Sequence, residues 1–131
     1  MKLITAEALG NGAVEVKISG RKPDCSAFSA DENEEGRPMP SEMVCASLGA
    51  CIVLMLDAYC CRMGYKDGRS SACLTYTMTG SHKHIEVITI DIELPKDFPA
   101  EKREAALRIA RSCPIHTTLS VPTNIDIDIA G

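Results

Sequence analysis

The sequence contains few aromatic residues and no excess of positive charge. Its 131 residues include 2 Phe, 3 Tyr and no Trp, while 45% are hydrophobic. A core must therefore be built from aliphatic side chains, and the length predicts a single domain over residues 1–131. The net charge of −4 and the pI of about 5.3 argue against a nucleic-acid-binding protein, which usually shows a basic patch.

The sequence also lacks a signal-peptide pattern and a long uninterrupted apolar run. Glu7 comes early, and the longest apolar stretch, residues 43–56, contains Ser47 and is too short to cross a bilayer. The 7 cysteines are an odd number and include no C-x-x-C, which argues against a disulfide framework, a thioredoxin motif and a zinc ribbon. We therefore expect a cytoplasmic protein that binds neither membrane nor metal.

The pattern of apolar residues predicts both strands and helices. Alternation of apolar and polar residues predicts strands within residues 14–18, 74–79, 84–94 and 125–129. Residues 2–9 are the expected hairpin partner of the first of these strands, with residues 10–12 as the turn. Helical spacing predicts two main helices, residues 41–63 and 99–113, with a short helical turn at 116–120. Strands separated by two helices indicate an α+β fold with mostly antiparallel pairing. The alternation breaks near Val87, which predicts either a β-bulge or a change of the covered face there.

The first predicted helix is apolar or small on every face from Met43 to Leu56. Ser41 is its expected N-cap, Glu42 favours its first turn, and Gly64 is its expected terminator. A helix that is apolar all round is a buried helix. In so small a domain, a second subunit is expected to cover part of it.

Two cysteines stand apart by their context. Cys51 follows a run of small residues on the apolar helix, so other groups have room to approach its sulfur. Cys113 ends the second helix, directly before Pro114. The other five cysteines are interpreted as small buried hydrophobic residues.

These two cysteine motifs carry a family resemblance. Residues 40–51, PSEMVCASLGAC, resemble the first cysteine helix of the OsmC/Ohr superfamily, and residues 111–116, RSCPIH, resemble its second cysteine motif. The motifs occur in the same order, and the resemblance covers essentially the whole chain. It implies an OsmC-like α+β fold with antiparallel sheets and two main helices. It also implies an intertwined homodimer, with the first cysteine helix buried at its centre.

The resemblance implies thiol-dependent reduction of organic hydroperoxides, with Cys51 as peroxidatic cysteine, Cys113 as resolving cysteine and a dithiol as reductant. No cofactor or metal is implied. It further implies an Arg beside Cys51, oriented by a Glu. Glu42 is the candidate Glu, although the family's peroxidases place theirs where this sequence has Ser41. Arg21 is the first candidate Arg, and Arg37 is the alternative.

Two other functions remain open on the same fold. The displaced Glu42 favours a non-catalytic module that binds a small apolar ligand. A redox-sensing protein would instead form the Cys51–Cys113 disulfide slowly and without turnover. Arg21 and Arg37 also fit ordinary surface charges, and Glu42 also fits a residue that only starts its helix.

Overall fold

The computed structural model describes residues 3–10, 12–31 and 36–130. Its elements are β1 (Ile4–Gly10), β2 (Ala13–Ile18), β3 (Ala27–Ser29), α1 (Pro40–Met63), β4 (Ser71–Met78), β5 (Ile85–Glu93), a 3-10 turn (Ala100–Lys102), α2 (Arg103–Arg111) and α3 (Pro114–Ser120). The described strands pair antiparallel in two sheets, β1-β2-β3 and β4-β5. The predicted α+β class is thus confirmed.

The chain divides into two compact units, Met1–Cys45 and Ala46–Gly131. In the first, β1 pairs with β2 as predicted, and the predicted turn between them includes Asn11, which lies outside the described residues. The sequence pattern did not predict β3, because three residues are too few to show alternation. The assignment of a single domain over residues 1–131 stays a prediction.

The start of α1 differs by one residue from the prediction. The helix begins at Pro40, so Ser41 lies in its first turn, and the prediction of Ser41 as N-cap is wrong. Proline is favoured at a first helical position because its missing N–H needs no partner there. Glu42 Oε1 accepts the N–H of Met39 at 2.8 Å, which satisfies a backbone donor ahead of the helix.

The end of α1 is closed by Gly64, as predicted. Gly64 has a φ of +78°, and its N–H donates to the carbonyl of Cys61 at 3.3 Å. The N–H of Tyr65 donates to the carbonyl of Cys60 at 2.9 Å. These two bonds form a Schellman motif, in which glycine adopts the left-handed conformation at little steric cost.

The core of the second unit forms along one stripe of α1. Four residues of the helix recur at intervals of four and are buried: Leu48, Ile52, Leu56 and Cys60. Phe98, residues of α2 and Cys113 complete the buried cluster, and apolar side chains of β4 and β5 pack against it. The opposite side of α1 stays open, since Leu54 is 72% exposed. One chain therefore does not bury the whole helix.

The predicted bulge near Val87 is confirmed. Thr77 pairs with Val87 and Met78 with Ile85, so Glu86 is the extra residue on β5. The bulge reverses which residues of β5 face the core. This explains why the apolar residues change parity at that point.

The predicted closing strand is wrong for this chain. Within the described part of the molecule, residues 122–130 form neither strand nor helix. Ile125, Ile127 and Ile129 are all highly exposed. Alternation predicts a strand only if an edge is present to pair with it, and here the segment pairs with neither sheet.

Among the described residues, one helix is long and apolar enough to cross a membrane by length and composition. It is α1, and core helices of soluble proteins pass the same test.

Candidate functional site

Cys51 lies on α1 directly before the buried stripe residue Ile52. It is half-buried and packs against the buried cluster of the second unit. Gly49, two residues earlier, is buried, and a Cβ built there would lie 2.6 Å from Leu74 Cδ1. The absence of a side chain at Gly49 therefore lets β4 approach the helix beside Cys51.

Cys113 lies in the connection between α2 and α3 and is 0% exposed. Its backbone is extended, and it is the N-cap residue of α3. Its Sγ accepts the backbone N–H of His116 at 3.2 Å. Pro114 occupies the first helical position, where proline is favoured, so the Cys-Pro pair starts α3.

The two cysteines predicted from the sequence are brought together. Cys113 belongs to the buried cluster and Cys51 packs against it, and Cys51 is near enough to act on the pKa of the Cys113 thiol. Burial raises the pKa of the Cys113 thiol above its ordinary value, although the N–H of His116 acts in the opposite direction. The neighbouring Cys51 raises the pKa of Cys113 further. Cys113 is therefore a protonated, enclosed thiol at neutral pH, and Cys51 is the more accessible sulfur.

The predicted charged residues lie in the other unit. Arg21 is exposed, and its carbonyl accepts the N–H of Ile18 at 2.8 Å. Arg37 is exposed just before α1. The carboxylate of Glu42 accepts a hydrogen bond from the N–H of Met39. These residues belong to Met1–Cys45, whereas both thiols belong to Ala46–Gly131. The implied pairing of an Arg with Cys51 stays a prediction.

The remaining cysteines only partly match their interpretation as buried residues. Cys45 and Cys60 are buried, but Cys25, Cys61 and Cys73 are exposed, so the prediction is wrong for these three. All seven cysteines are free thiols. Strand alternation could have indicated the exposure of Cys73, because it shares parity with the exposed threonines of β4.

Two features of the site were missed by the sequence analysis: the close approach at Gly49 and the capping of α3 by the Cys113 sulfur. The signal for the cap was Pro114, since a proline at a first helical position makes the preceding residue the N-cap. No sequence signal distinguishes Gly49 from the neighbouring small residues. Within residues 3–10, 12–31 and 36–130, no three His, Cys, Asp or Glu side chains cluster as metal ligands would.

The chain is similar to several solved structures at low sequence identity. An OsmC-like protein from Mycoplasma pneumoniae is 16% identical, with a TM-score of 0.68, over 92% of this chain and 87% of that one. An OsmC-like hydroperoxide resistance protein from Jannaschia sp. CCS1 is 18% identical, with a TM-score of 0.52, over 92% and 85%. At these identities the likeness shows the fold.

A third structure, from Psychrobacter arcticus 273-4, is named for osmotic stress induction and a detoxification response. It is 15% identical, with a TM-score of 0.73, over 90% of this chain and 88% of that one. No curated protein sequence matches the chain significantly. The profile of the OsmC-like protein family matches residues 32–128, which include both cysteine motifs. With this match over most of its length, the chain belongs to the OsmC-like family.

Proposed function

We propose that the protein reduces organic hydroperoxides, with Cys51 as peroxidatic and Cys113 as resolving cysteine. One observation carries the proposal: two thiols from distant parts of the chain are neighbours within an apolar cluster. Cys51 is half-buried and Cys113 is enclosed, which matches the different accessibilities that the two roles require. The family membership supports a stress protein of the OsmC/Ohr type. We place it in the cytoplasm, where reduced thiols persist.

The first step oxidises Cys51 by two electrons. Its thiolate attacks the terminal oxygen of the hydroperoxide, so that a sulfur–oxygen bond forms and the oxygen–oxygen bond breaks. The leaving alkoxide takes a proton and departs as an alcohol, and Cys51 becomes a sulfenic acid. The aliphatic side chains that pack around the cluster, among them Leu74 and Ile90, favour a peroxide with an apolar substituent.

The second step uses Cys113. Its sulfur attacks the sulfenic sulfur of Cys51, a disulfide forms, and the hydroxide leaves with a proton as water. A dithiol reductant then exchanges with the disulfide, which regenerates both thiols and oxidises the dithiol. The raised pKa of Cys113 favours the protonated thiol, so the proton that leaves with the hydroxide as water is the thiol proton of Cys113.

Attack on the peroxide requires a thiolate, and a nearby positive charge favours the thiolate form of a cysteine. We propose Arg21 for this role, with Arg37 as the alternative and Glu42 as the residue that orients the guanidinium. Glu42 already accepts a backbone N–H at the start of α1, so its carboxylate holds a defined position. Both arginines are exposed in the single chain.

We propose a homodimer in which a second subunit covers the open side of α1. Leu54 is exposed on this side of the helix, and the three isoleucines between residues 125 and 129 add further exposed apolar surface. We expect these side chains to contribute to a protein–protein interface, where exposed apolar surface is commonly found. The dimer would supply the cover that one chain lacks.

A peroxidase assay with matched variants tests the proposed activity. Reduced protein is mixed with cumene hydroperoxide and dithiothreitol, and peroxide consumption is followed. We expect Cys51→Ser to abolish turnover, and Cys73→Ser, an exposed thiol outside the cluster, to leave it unchanged. Cys113→Ser should complete one oxidation and accumulate the Cys51 sulfenic acid. An unchanged rate in Cys51→Ser would contradict the proposal.

The apolar surroundings of Cys51 also suit a ligand-binding module without turnover. In that case, an aliphatic ligand would raise the melting temperature of the wild type and of Cys51→Ser equally, and neither protein would consume peroxide.

A further inference from the structure

The sulfur of Cys113 has a structural role in addition to its place beside Cys51. It is the N-cap of α3, where it accepts the backbone N–H of His116 at 3.2 Å. Helix N-caps are usually Ser, Thr, Asp or Asn, whose oxygens satisfy a donor of the first turn. Here a redox-active thiol takes that place, so the start of α3 depends on the chemical state of one sulfur.

The helix that this sulfur caps is short and weakly held. It spans the seven residues Pro114–Ser120, and none of its side chains is fully buried. Ile115 is the residue of α3 that packs against the buried cluster. Helices of this length do not persist without tertiary contacts and caps. The loss of one cap should therefore have a visible effect on α3.

Disulfide formation changes the sulfur as an acceptor. A disulfide bond is about 2.05 Å long and prefers a dihedral angle near ±90°, so the direction of Cys113 Sγ is then fixed by Cys51. The cap requires the same sulfur to face the N–H of His116. We expect the fixed geometry of the disulfide to compete with the cap.

The resting conformation also hinders the reductant. Thiol–disulfide exchange requires access to one of the two sulfurs. Cys51 is half-buried and Cys113 is 0% exposed, so the Cys113 side of the disulfide is closed to attack. The residues that follow Cys113 lead into α3 and then into residues 121–130, which are exposed. Movement of α3 is therefore the local change that would open this side of the disulfide.

We propose that formation of the Cys51–Cys113 disulfide uncaps α3 and loosens it, which opens the disulfide to a dithiol reductant. The proposal rests on the proposed function in one respect, namely that these two thiols form the disulfide. The reductant attacks one sulfur, the second thiol of the reductant completes the exchange, and two protein thiols and one oxidised dithiol result. Once Cys113 is reduced, its sulfur caps α3 again.

Amide hydrogen exchange measured by NMR on the full chain tests this directly. Cys25, Cys61 and Cys73 are first replaced by Ser to remove the exposed thiols, and the disulfide is formed with diamide, which requires no peroxidase activity. Peptide mass mapping verifies the bond. We expect the amides of residues 116–120 to exchange at least about tenfold faster in the oxidised protein, while those of residues 107–111 in α2 keep their rates.

Three variants separate the cap from the disulfide. Cys113→Ala removes the cap without a disulfide, so α3 should exchange fast even when the protein is reduced. Cys113→Ser retains an N-cap and cannot form the bond, so diamide should leave α3 protected. Cys51→Ser keeps the Cys113 cap, and α3 should again stay protected with diamide.

Two results would overturn the proposal: an oxidised protein, with the bond verified, that exchanges like the reduced one, or a Cys113→Ala variant with a fully protected α3. Failure of diamide to join the two cysteines would overturn it as well. Absence of hydroperoxide consumption, with fast exchange in the diamide-oxidised protein, would instead refute only the peroxidase.

Discussion

The chemistry proposed for this protein centres on two residues with opposite environments. Cys51 is half-buried on the surface of the cluster, and Cys113 is enclosed with a backbone donor at its sulfur. The sequence identified both through their neighbours, the small residues before Cys51 and the proline after Cys113. It did not identify the cap, because the bond to His116 depends on where the helix begins. Nor does the sequence show whether Arg21 or Arg37 lies near Cys51, because a contact between residues far apart in the chain leaves no local sequence pattern.

The environment of Cys113 predicts a dependence of stability on pH in the reduced protein. Its pKa is raised in the folded state, mainly by burial, while the unfolded chain has the ordinary value of about 8.5. The unfolded state therefore loses this proton first as the pH rises. The contribution of Cys113 to stability is complete below about pH 8.5 and declines as the pH approaches the raised value.

Urea unfolding under reductant at about pH 7 and pH 9.5 measures this effect. We expect Cys113→Ser to lose part of the alkaline decrease in unfolding free energy, whereas Cys73→Ser, exposed on β4, keeps it. Some decrease should remain, because burial also raises the pKa of Cys45. Identical pH dependence in the wild type and Cys113→Ser would show that Cys113 does not contribute.

A second prediction at the residue scale concerns the cation. If Arg21 stabilises the Cys51 thiolate, Arg21→Ala should lower the rate of Cys51 oxidation by roughly 10²-fold or more, and Arg21→Lys should lower it less. Stopped-flow oxidation of the reduced protein measures this rate. Arg37→Ala is the matched comparison: a loss confined to that variant would assign the role to Arg37. Full rates in both variants would remove arginine from the mechanism.

At the scale of elements, the sequence was most informative where local chemistry decides the structure. It located α1, the glycine that ends it, and the bulge in β5. It was wrong where the structure of a segment depends on which strand lies next to it. The three-residue strand β3 exists because β2 offers an edge, and the alternating residues 125–129 form no strand because no edge pairs with them. The pattern of apolar residues shows which side chains could be buried. Which of them are buried depends on the elements that pack against them.

The contact between α1 and β4 gives a prediction for Gly49. Alanine in a helix interior is favoured over glycine by about 1 kcal/mol, but a Cβ at Gly49 would lie 2.6 Å from Leu74 Cδ1. The side chain of Leu74 must then shift within the packed cluster. We therefore expect Gly49→Ala to be tolerated better after Leu74→Ala than in the wild type.

A double-mutant cycle in urea measures the coupling between these two residues. We expect at least about 0.5 kcal/mol of interaction. Ala50→Gly, at the exposed neighbouring position, serves as the control, because it changes helix propensity without facing Leu74. Additive effects of Gly49→Ala and Leu74→Ala would show that the close approach has no energetic consequence.

At the scale of the whole molecule, the sequence predicted that the apolar surface of α1 is buried, and one chain leaves part of it exposed. The apolar circumference of α1 indicated a fully buried helix, yet the described residues bury the stripe from Leu48 to Cys60 and leave Leu54, on the opposite side, 72% exposed. The exposed part of α1 is the surface that the proposed homodimer would cover. The apolar composition of α1 indicates that its exposed side is to be covered, but it does not indicate what covers it.

The proposed homodimer predicts a sharp response at Leu54, which is 72% exposed. Leu54→Glu would place a charge in the subunit interface and should yield monomers, whereas Leu54→Met keeps the apolar area and should remain dimeric. Light scattering coupled to size-exclusion chromatography distinguishes these states. A dimer that persists in Leu54→Glu would exclude this side of α1 from the interface.

The central claim is that Cys51 and Cys113 act as one redox pair, and disulfide mapping tests it most directly. Reduced protein is treated with one equivalent of t-butyl hydroperoxide, alkylated, and digested without reductant. We predict a single dominant linked peptide pair, joining Cys51 to Cys113 within one chain, with the loss of two thiols for each peroxide consumed. Peroxide consumption with both cysteines still free, or linked to other partners, would contradict it.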